Sequence, residues 1–480
     1  MHMEEFEIYR TPNPRRRKRS KLQVFKEAYL PLIIVAVTFV LLVVFIVGGL
    51  SRQDAPGGSL ESTTGSTDSD PTTSPTDPST ALLQQEAQLL MQEAALLIPD
   101  YDYEGALAIL DTFSGDMAAF PQLQAVYDEY TARLEEMVPW SGNQVVNLSM
   151  HLLIADPERA FNDPTYGQPG QKSYLKNFIT TTELSNILQQ LYQNGYILVS
   201  LDDLYELQYD ASSGRDVYVA KTLLLPPGKT PVMLTETNAN YYNYMTDSNG
   251  DGKPDAGADG FAYKLCHDGT GFYNALIMAD GTVATGAFDL VPILEAFIGQ
   301  HPDFSYRGAR AIIAVTGYDG VLGYRINSKK LTEAEKEAER TALAALVEQL
   351  KNSGYEIGCF TYENWNYGEK EPMDIQSDLQ KWADVVASVI GPTDIMVLPK
   401  EGDIAGEEGY NDNSKFNVMY NAGYRFFLGT GTESWDQVDE RYVRHNKLMV
   451  TGAYLTQYPE RFTALFDTAT VLDPYRSNFT

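Results

Sequence analysis

The sequence is poor in cysteine and histidine: 480 residues contain two cysteines and five histidines. Cys266 and Cys359 allow at most one disulfide, which excludes a disulfide framework and a zinc site of the CxxC kind. Positive charge is also scarce over most of the chain. Residues 1–28 hold eight Lys and Arg against four Asp and Glu, whereas the remainder holds 28 against 61. So acidic a body excludes nucleic acid and an anionic membrane surface as ligands. Between Ala28 and Ser51 charge is absent altogether.

That uncharged run, with LPLIIVAVTFVLLVVFIVGGL over 30–50, supplies the ~20 apolar residues that a bilayer crossing requires. Residues 29–50 are expected to form one transmembrane helix. A cleaved signal peptide is the competing reading, but its apolar region is shorter, about 7–15 residues. RRRKRSK precedes the span and only Arg52 follows closely. The positive-inside tendency then keeps the basic tail 1–28 cytoplasmic and places the main domain outside a cell membrane crossed once.

Residues 51–80 are rich in Ser, Thr, Pro, Gly and Asp with almost no aliphatic content, as in a disordered linker. Over 81–140 apolar residues recur at helical spacing, with Leu83, Ala87, Leu90, Met91, Ala94 and Leu97 on one face. YDYEGALAIL resembles a tetratricopeptide-type hairpin, but no second copy follows, so a small helical stalk is expected rather than a peptide-binding array.

From 141 to 480 short apolar strands alternate with helices. The strands are VVNLSMHLLI, GYILVSL, PVMLT, RAIIAVTG, YEIGCFTY, TDIMVLP and YRFFLG. Two helices carry capping boxes, Thr180 with Glu183 and Thr332 with Glu335, and stop at Gly195 and Gly354. Alternation of this kind predicts an α/β domain with parallel strands, and about seven of them suit a barrel. Functional residues then belong at the carboxyl ends of the strands.

LSMHLLI, LYQNGYILVSLDDL, LLLPPGKTPVMLT, HPDFSYRGARAIIAVTGYDGVLGYR, LKNSGYEIGCFTYENWNYG, GPTDIMVLPKEGDI and NAGYRFFLG, in this order over about 145–460, resemble the polysaccharide deacetylases, carbohydrate esterase family four. PPGK, HPDFSYRG and TGYDGVLGYR look especially like a membrane-anchored subgroup in Gram-positive, clostridia-like bacteria. The resemblance implies a distorted (β/α)7-type barrel. It also implies removal of an acetyl group from N-acetylated sugars by a metal ion, usually zinc, held by one Asp and two His, with a second Asp as base.

Matched residue by residue, the Asp-Asp pair falls on Thr237 and Asn238, and the two histidines on Phe360 and Asn364. Neither Thr nor Asn serves as a carboxylate base, and both imidazoles are missing. The third motif reads Leu398, Pro399, Lys400, and the late Leu-x-His pattern has no clear counterpart in HNKLMVTGAYL. Of the histidines, His2 is cytoplasmic, His301 follows a helix, and His267 and His445 are expected in irregular, solvated stretches. His151 matches a first-strand histidine and is expected in the pocket.

Glu236, Glu363 and Asp403 fall near strand ends, where a new acid/base or metal cluster competes with ordinary salt bridging. Tyr241, Tyr242, Tyr244, Tyr362 and Trp365 either pack the barrel mouth or stack on sugar rings. DSNGDGKPDAGAD offers Asp247, Asn249, Asp251, Lys253 and Asp255 at calcium-loop positions, but Ala258 stands where a bidentate Glu is usual and Asp259 is one residue late. A Ca2+ site and an unoccupied polar turn both remain open.

These readings converge on a membrane-anchored, extracytoplasmic protein of a bacterial cell envelope, a deacetylase-like pseudoenzyme that binds cell-wall glycan or an envelope protein and holds no metal at the family zinc site. The alternative is an active metal-dependent carbohydrate N-deacetylase with relocated ligands.

Overall fold

The computed structural model describes residues 78–140, 144–162, 174–245, 259–278, 280–405 and 409–477. The span expected at 29–50 and the loop with Asp247, Asn249, Asp251, Lys253 and Asp255 lie outside them. Among the described residues no helix is long and apolar enough to cross a membrane. Two compact units separate: 78–98 with Tyr103–Leu134, and Pro99–Asp102 with the chain from Glu135 onward.

The first unit holds helices Pro78–Ala95, Tyr103–Leu110 and Pro121–Glu135. Its first helix starts inside the segment expected to be linker, because proline's fixed φ and missing N–H suit the first helical turn. Ala87, Ala94 and Leu97 are buried on the face that the sequence periodicity marked.

In the second unit eight strands matter for the site. They are β1 Val146–Met150, β2 Tyr196–Leu198, β3 Thr230–Thr237, β4 Ile312–Val315, β5 Glu356–Cys359, β6 Ile395–Val397, β7 Phe426–Gly431 and β8 Val443–Met449. Seven close a parallel barrel in the order β3-β4-β5-β6-β7-β8-β1 and back to β3. The count of seven matches the expectation, but the membership differs. β2 stands outside the ring, since it pairs only with the first half of β3 (Tyr196 with Thr230, Leu198 with Val232), and β4 takes the second half (Ile312 with Thr235). Its place is taken by β8, whose sequence VRHNKLM has no apolar pattern to announce a strand.

Helices between the strands cover the ring. Both expected capping boxes form, at helices Thr181–Gln193 and Glu333–Ser353. The second helix ends at Gly354 in the left-handed region (φ 103°), where an added Cβ would collide with the Gly308 carbonyl oxygen. Cys266 and Cys359 are both free thiols.

The chain end is fastened by a buried ion pair. Arg476 Nη2 lies 2.7 Å from Glu183 Oε2 and donates to the Phe178 carbonyl at 2.9 Å, while Glu183 also caps Thr180 N and accepts from Asp473 N. Both side chains are inaccessible to solvent, so removing one charge strands the other. Arg476→Met is expected to cost ~3–5 kcal/mol. Urea-unfolding midpoints would show this, and Glu183→Gln added to that variant should recover part of the loss.

Candidate functional site

Side chains alternate across a strand, so every second residue of β1, β3 and β8 faces into the ring. Asn147 and Ser149 on β1, Thr235 and Thr237 on β3, and His445 and Lys447 on β8 are all buried, making the barrel wall polar on one side. Thr235 Oγ1 lies 2.8 Å from Asn147 Oδ1. At the carboxyl ends this wall opens into a cavity of about 240 Å³ that His151, Thr237, Phe360, Lys400, Lys447 and Tyr454 help to line.

Thr237 Oγ1 lies 3.1 Å from the Met150 carbonyl and 2.8 Å from His151 Nδ1. A hydroxyl donates only one hydrogen bond; given to the carbonyl, it leaves Nδ1–H as donor and Nε2 as a free acceptor. Burial holds the half-buried His151 ring below its ordinary pKa; the Thr237 contact opposes this and the charge of Lys447 adds to it. His151 is therefore a neutral base at physiological pH.

Lys447 is the residue that sequence reasoning passed over. It is 1% exposed, and its Nζ donates to the carbonyls of Leu428 (2.9 Å) and Gly429 (3.0 Å), with Thr430 Oγ1 at 3.2 Å and the Leu398 carbonyl at 3.4 Å. Burial pulls its ammonium down to about 7, against the pull of Asp403 and Glu401. His445, expected in a solvated irregular stretch, is instead buried two residues earlier on β8, with Tyr205 Oη at 3.2 Å from Nδ1; burial lowers it to about 4. His301 closes helix Leu290–Gln300 and lies against Tyr192, while the half-buried His267 ends a short strand, Lys264–His267.

The other expected site residues are dispersed. Asn238 accepts from Tyr242 Oη beside the mouth, and Tyr242 and Tyr241 are buried, whereas Tyr244 is half exposed and stacked on Tyr242. Asn364, Tyr362, Glu363 and Trp365 share the loop after β5. That loop is held by buried Asp378, which accepts from the N–H groups of Tyr362 (2.7 Å) and Glu363 (3.0 Å). Glu363 pairs with Lys381 at 3.3 Å, and Lys370 lies 4.2 Å above the Trp365 ring. Asp403 pairs with Arg444 at 2.6 Å, the ordinary salt-bridging alternative. Pro399 is buried and Lys400 exposed at the rim.

Glu236 belongs to no cluster at the mouth. Thr237 faces inward, so its neighbour faces out, into a buried group with Asp289 and Tyr241 behind the barrel wall. Asp289 Oδ1 accepts from Leu153 N (3.0 Å) and Leu290 N (2.9 Å), and Asn274 Nδ2 donates to Tyr241 Oη at 3.0 Å. Burial first, then the Asp289 charge, raises Glu236 well above the carboxylate range, and burial raises Asp289 too. One proton shared between two desolvated carboxyls is the stable arrangement.

The zinc ion that the family resemblance implies does not fit these residues. Zinc in a catalytic site takes three protein ligands from His, Cys, Asp or Glu. The cavity offers one imidazole, an exposed Glu401 and two lysines, Lys400 and Lys447, whose ammonium groups repel a cation. Among the described residues no group of three or more His, Cys, Asp or Glu is placed to hold a metal.

No family model matches the sequence, and no curated protein matches it. Two solved structures are similar at low superposition. One is the Streptococcus pyogenes deacetylase PplD in complex with acetate, 13% identical over 70% of this chain and 100% of that one, with TM-score 0.33. The other is a de-N-acetylase from Aggregatibacter actinomycetemcomitans, 14% identical over 65% and 96%, with TM-score 0.34. Scores this low bear on no individual residue.

The Glu236–Asp289 pair yields a pH prediction. Folded carboxyl pKa values above the unfolded ~4 give stability that is complete below that value and lost as pH rises through the folded values. Glu236→Gln keeps a hydrogen-bonding side chain but no titration. It is expected to flatten the decline with rising pH and to leave the variant more stable than the wild type on the alkaline side, read from denaturation midpoints across pH.

Proposed function

We propose that the protein is a membrane-anchored, extracytoplasmic member of the polysaccharide-deacetylase-like proteins of a bacterial cell envelope, and that it binds glycan without hydrolysing it. The donor set of the barrel mouth carries this reading. A cavity persists at the carboxyl ends of a closed parallel barrel, where Thr237 and Phe360 stand at two of the four positions that the resemblance assigns to base and metal ligands. Asn238 and Asn364 stand at the other two. Phe360 and Tyr454 give the cavity apolar faces, and Thr237 gives it a hydroxyl, the mixture by which a sugar ring is held.

Hydrolysis of an acetamide needs an activated water and a base within reach of it. His151 is the only imidazole on the described cavity wall and the exposed Glu401 its only carboxylate, one of each where the family mechanism needs a base and three metal ligands. The anchor is the uncharged segment 29–50, with the Ser/Thr/Pro-rich stretch from 51 up to the helix at Pro78 as its spacer.

Three measurements on the full-length protein test the proposal. Purified in detergent and supplied with zinc, cobalt or nickel, it is expected to release no acetate from N-acetylglucosamine oligomers or peptidoglycan above the blank, yet to co-sediment with insoluble peptidoglycan. Acetate release abolished by a chelator would overturn the non-hydrolytic reading in favour of relocated ligands. After alkaline carbonate washing the chain should stay in the membrane fraction, and its release would remove the anchor.

A further inference from the structure

Three basic side chains are almost wholly buried among the described residues: Arg444, Lys447 and Arg476. Two have their counter-ion inside the protein, Arg444 in Asp403 at 2.6 Å and Arg476 in Glu183 at 2.5 Å. Lys447 has none. Its four contacts are uncharged, the carbonyls of Leu398, Leu428 and Gly429 and the hydroxyl of Thr430. Taking an ammonium out of water without an opposite charge costs several kcal/mol, which is why buried charges are ordinarily paired. The side chain lacking a partner is also one that lines the cavity at the barrel mouth.

We infer that this cavity takes the carboxylate of an acidic sugar, with the Lys447 ammonium as its counter-ion. The inference rests on the glycan-binding reading above and names the class of glycan. A volume of about 240 Å³ lies below the ~300–1,000 Å³ that encloses a drug-sized ligand, so one ring enters at a time. Lys400 stands at the rim as a second cation. The chain's net charge of −29 opposes an anion at long range, but beyond ~8 Å that field is screened at physiological salt, leaving the local ammonium to decide.

Around Lys447 the titratable and charged groups are His445 on its own strand, His151 after β1, and Lys400, Glu401 and Asp403 after β6. Burial holds both imidazoles low, so they are already neutral where the amine changes charge, near pH 7. An arriving carboxylate stabilises the protonated amine, and above neutrality its binding draws a proton from solution.

The test is calorimetric titration of the full-length protein with glucuronic acid and N-acetylmuramic acid, against glucose and N-acetylglucosamine as neutral counterparts and acetate as a bare carboxylate. Each acidic sugar is expected to bind at least tenfold more tightly than its neutral counterpart at pH 6.5, with acetate weaker than both. The two acids separate a ring carboxylate from one on a side arm. Lys447→Met should abolish the preference while thermal unfolding stays cooperative. Equal binding of acidic and neutral sugars, or a preference that survives Lys447→Met, overturns the inference and leaves glycan binding standing; no binding by any sugar overturns both. Should Lys447→Met fail to fold, the wild type still decides. At pH 8, binding enthalpies in two buffers of different ionisation heat must reveal proton uptake, and its absence sinks the inference.

Discussion

Ring closure at β3 is the constraint on which the rest of the barrel depends. One edge of this strand runs along β1 from Val232 to Glu236, while the other is divided, its first residues pairing with β2 and its last with β4. If β2 continued along that edge, β4 would have no partner there and the sheet would stay open. Since every neighbour is parallel, all carboxyl ends gather at one rim, and whatever faces inward from β1, β3 and β8 becomes either barrel filling or cavity wall. Closure also decides the fate of Glu236. With Thr235 and Thr237 committed to the interior, the carboxyl between them is driven outward onto Asp289.

A small closed barrel must be filled by side chains, and here much of the filling is polar. Asn147 Nδ2, Ser149 Oγ and His445 Nε2 are buried without a protein partner, on inward-facing positions of β1 and β8. A buried polar atom left unsatisfied costs about 1–3 kcal/mol, far more than a methyl group in its place. Apolar filling with Val, Ile or Leu would be the more stable choice. The polar lining gives the barrel axis hydrogen-bonding groups that an apolar core lacks, and Lys447 beside it finds its acceptors in strand-end carbonyls and the Thr430 hydroxyl.

Much of the fold was legible because helix signals are local. Thr180 with Glu183 and Thr332 with Glu335 announce helix starts by chemistry confined to four residues, and both form. Six of the seven ring strands showed as apolar runs between such helices. β8 did not, because an interior strand of a polar-lined barrel has neither an apolar run nor an alternation to display. For the same reason the site was half legible. His151, Thr237, Phe360 and Lys400 reach the cavity as their strand-end positions suggested, whereas Lys447 depends on the pairing of β8 with β7 and β1. Sequence distance hides that pairing. Strand-end position alone does not reveal which face a residue takes, and Glu236, next to inward Thr237, lies behind the wall.

Left-handed backbone restricts which residues can stand at the rim of the cavity. Asn238 and Asn364 both lie in the left-handed region, at φ 61° and 53°, as do Thr361, Lys400 and Glu401 in the strand-end loops of the same rim. Left-handed backbone is costly for most side chains; among non-glycine residues Asn, Asp and His adopt it several times more often than others. The residues that the deacetylase resemblance places at 238 and 364 are an Asp and a His, members of that same set. Asn is thus a residue that this backbone accepts at both positions, whereas Ala or Val would strain the rim. On the function proposed above, loop geometry and metal ligation are separable demands at these positions, and Asn meets the first without the second.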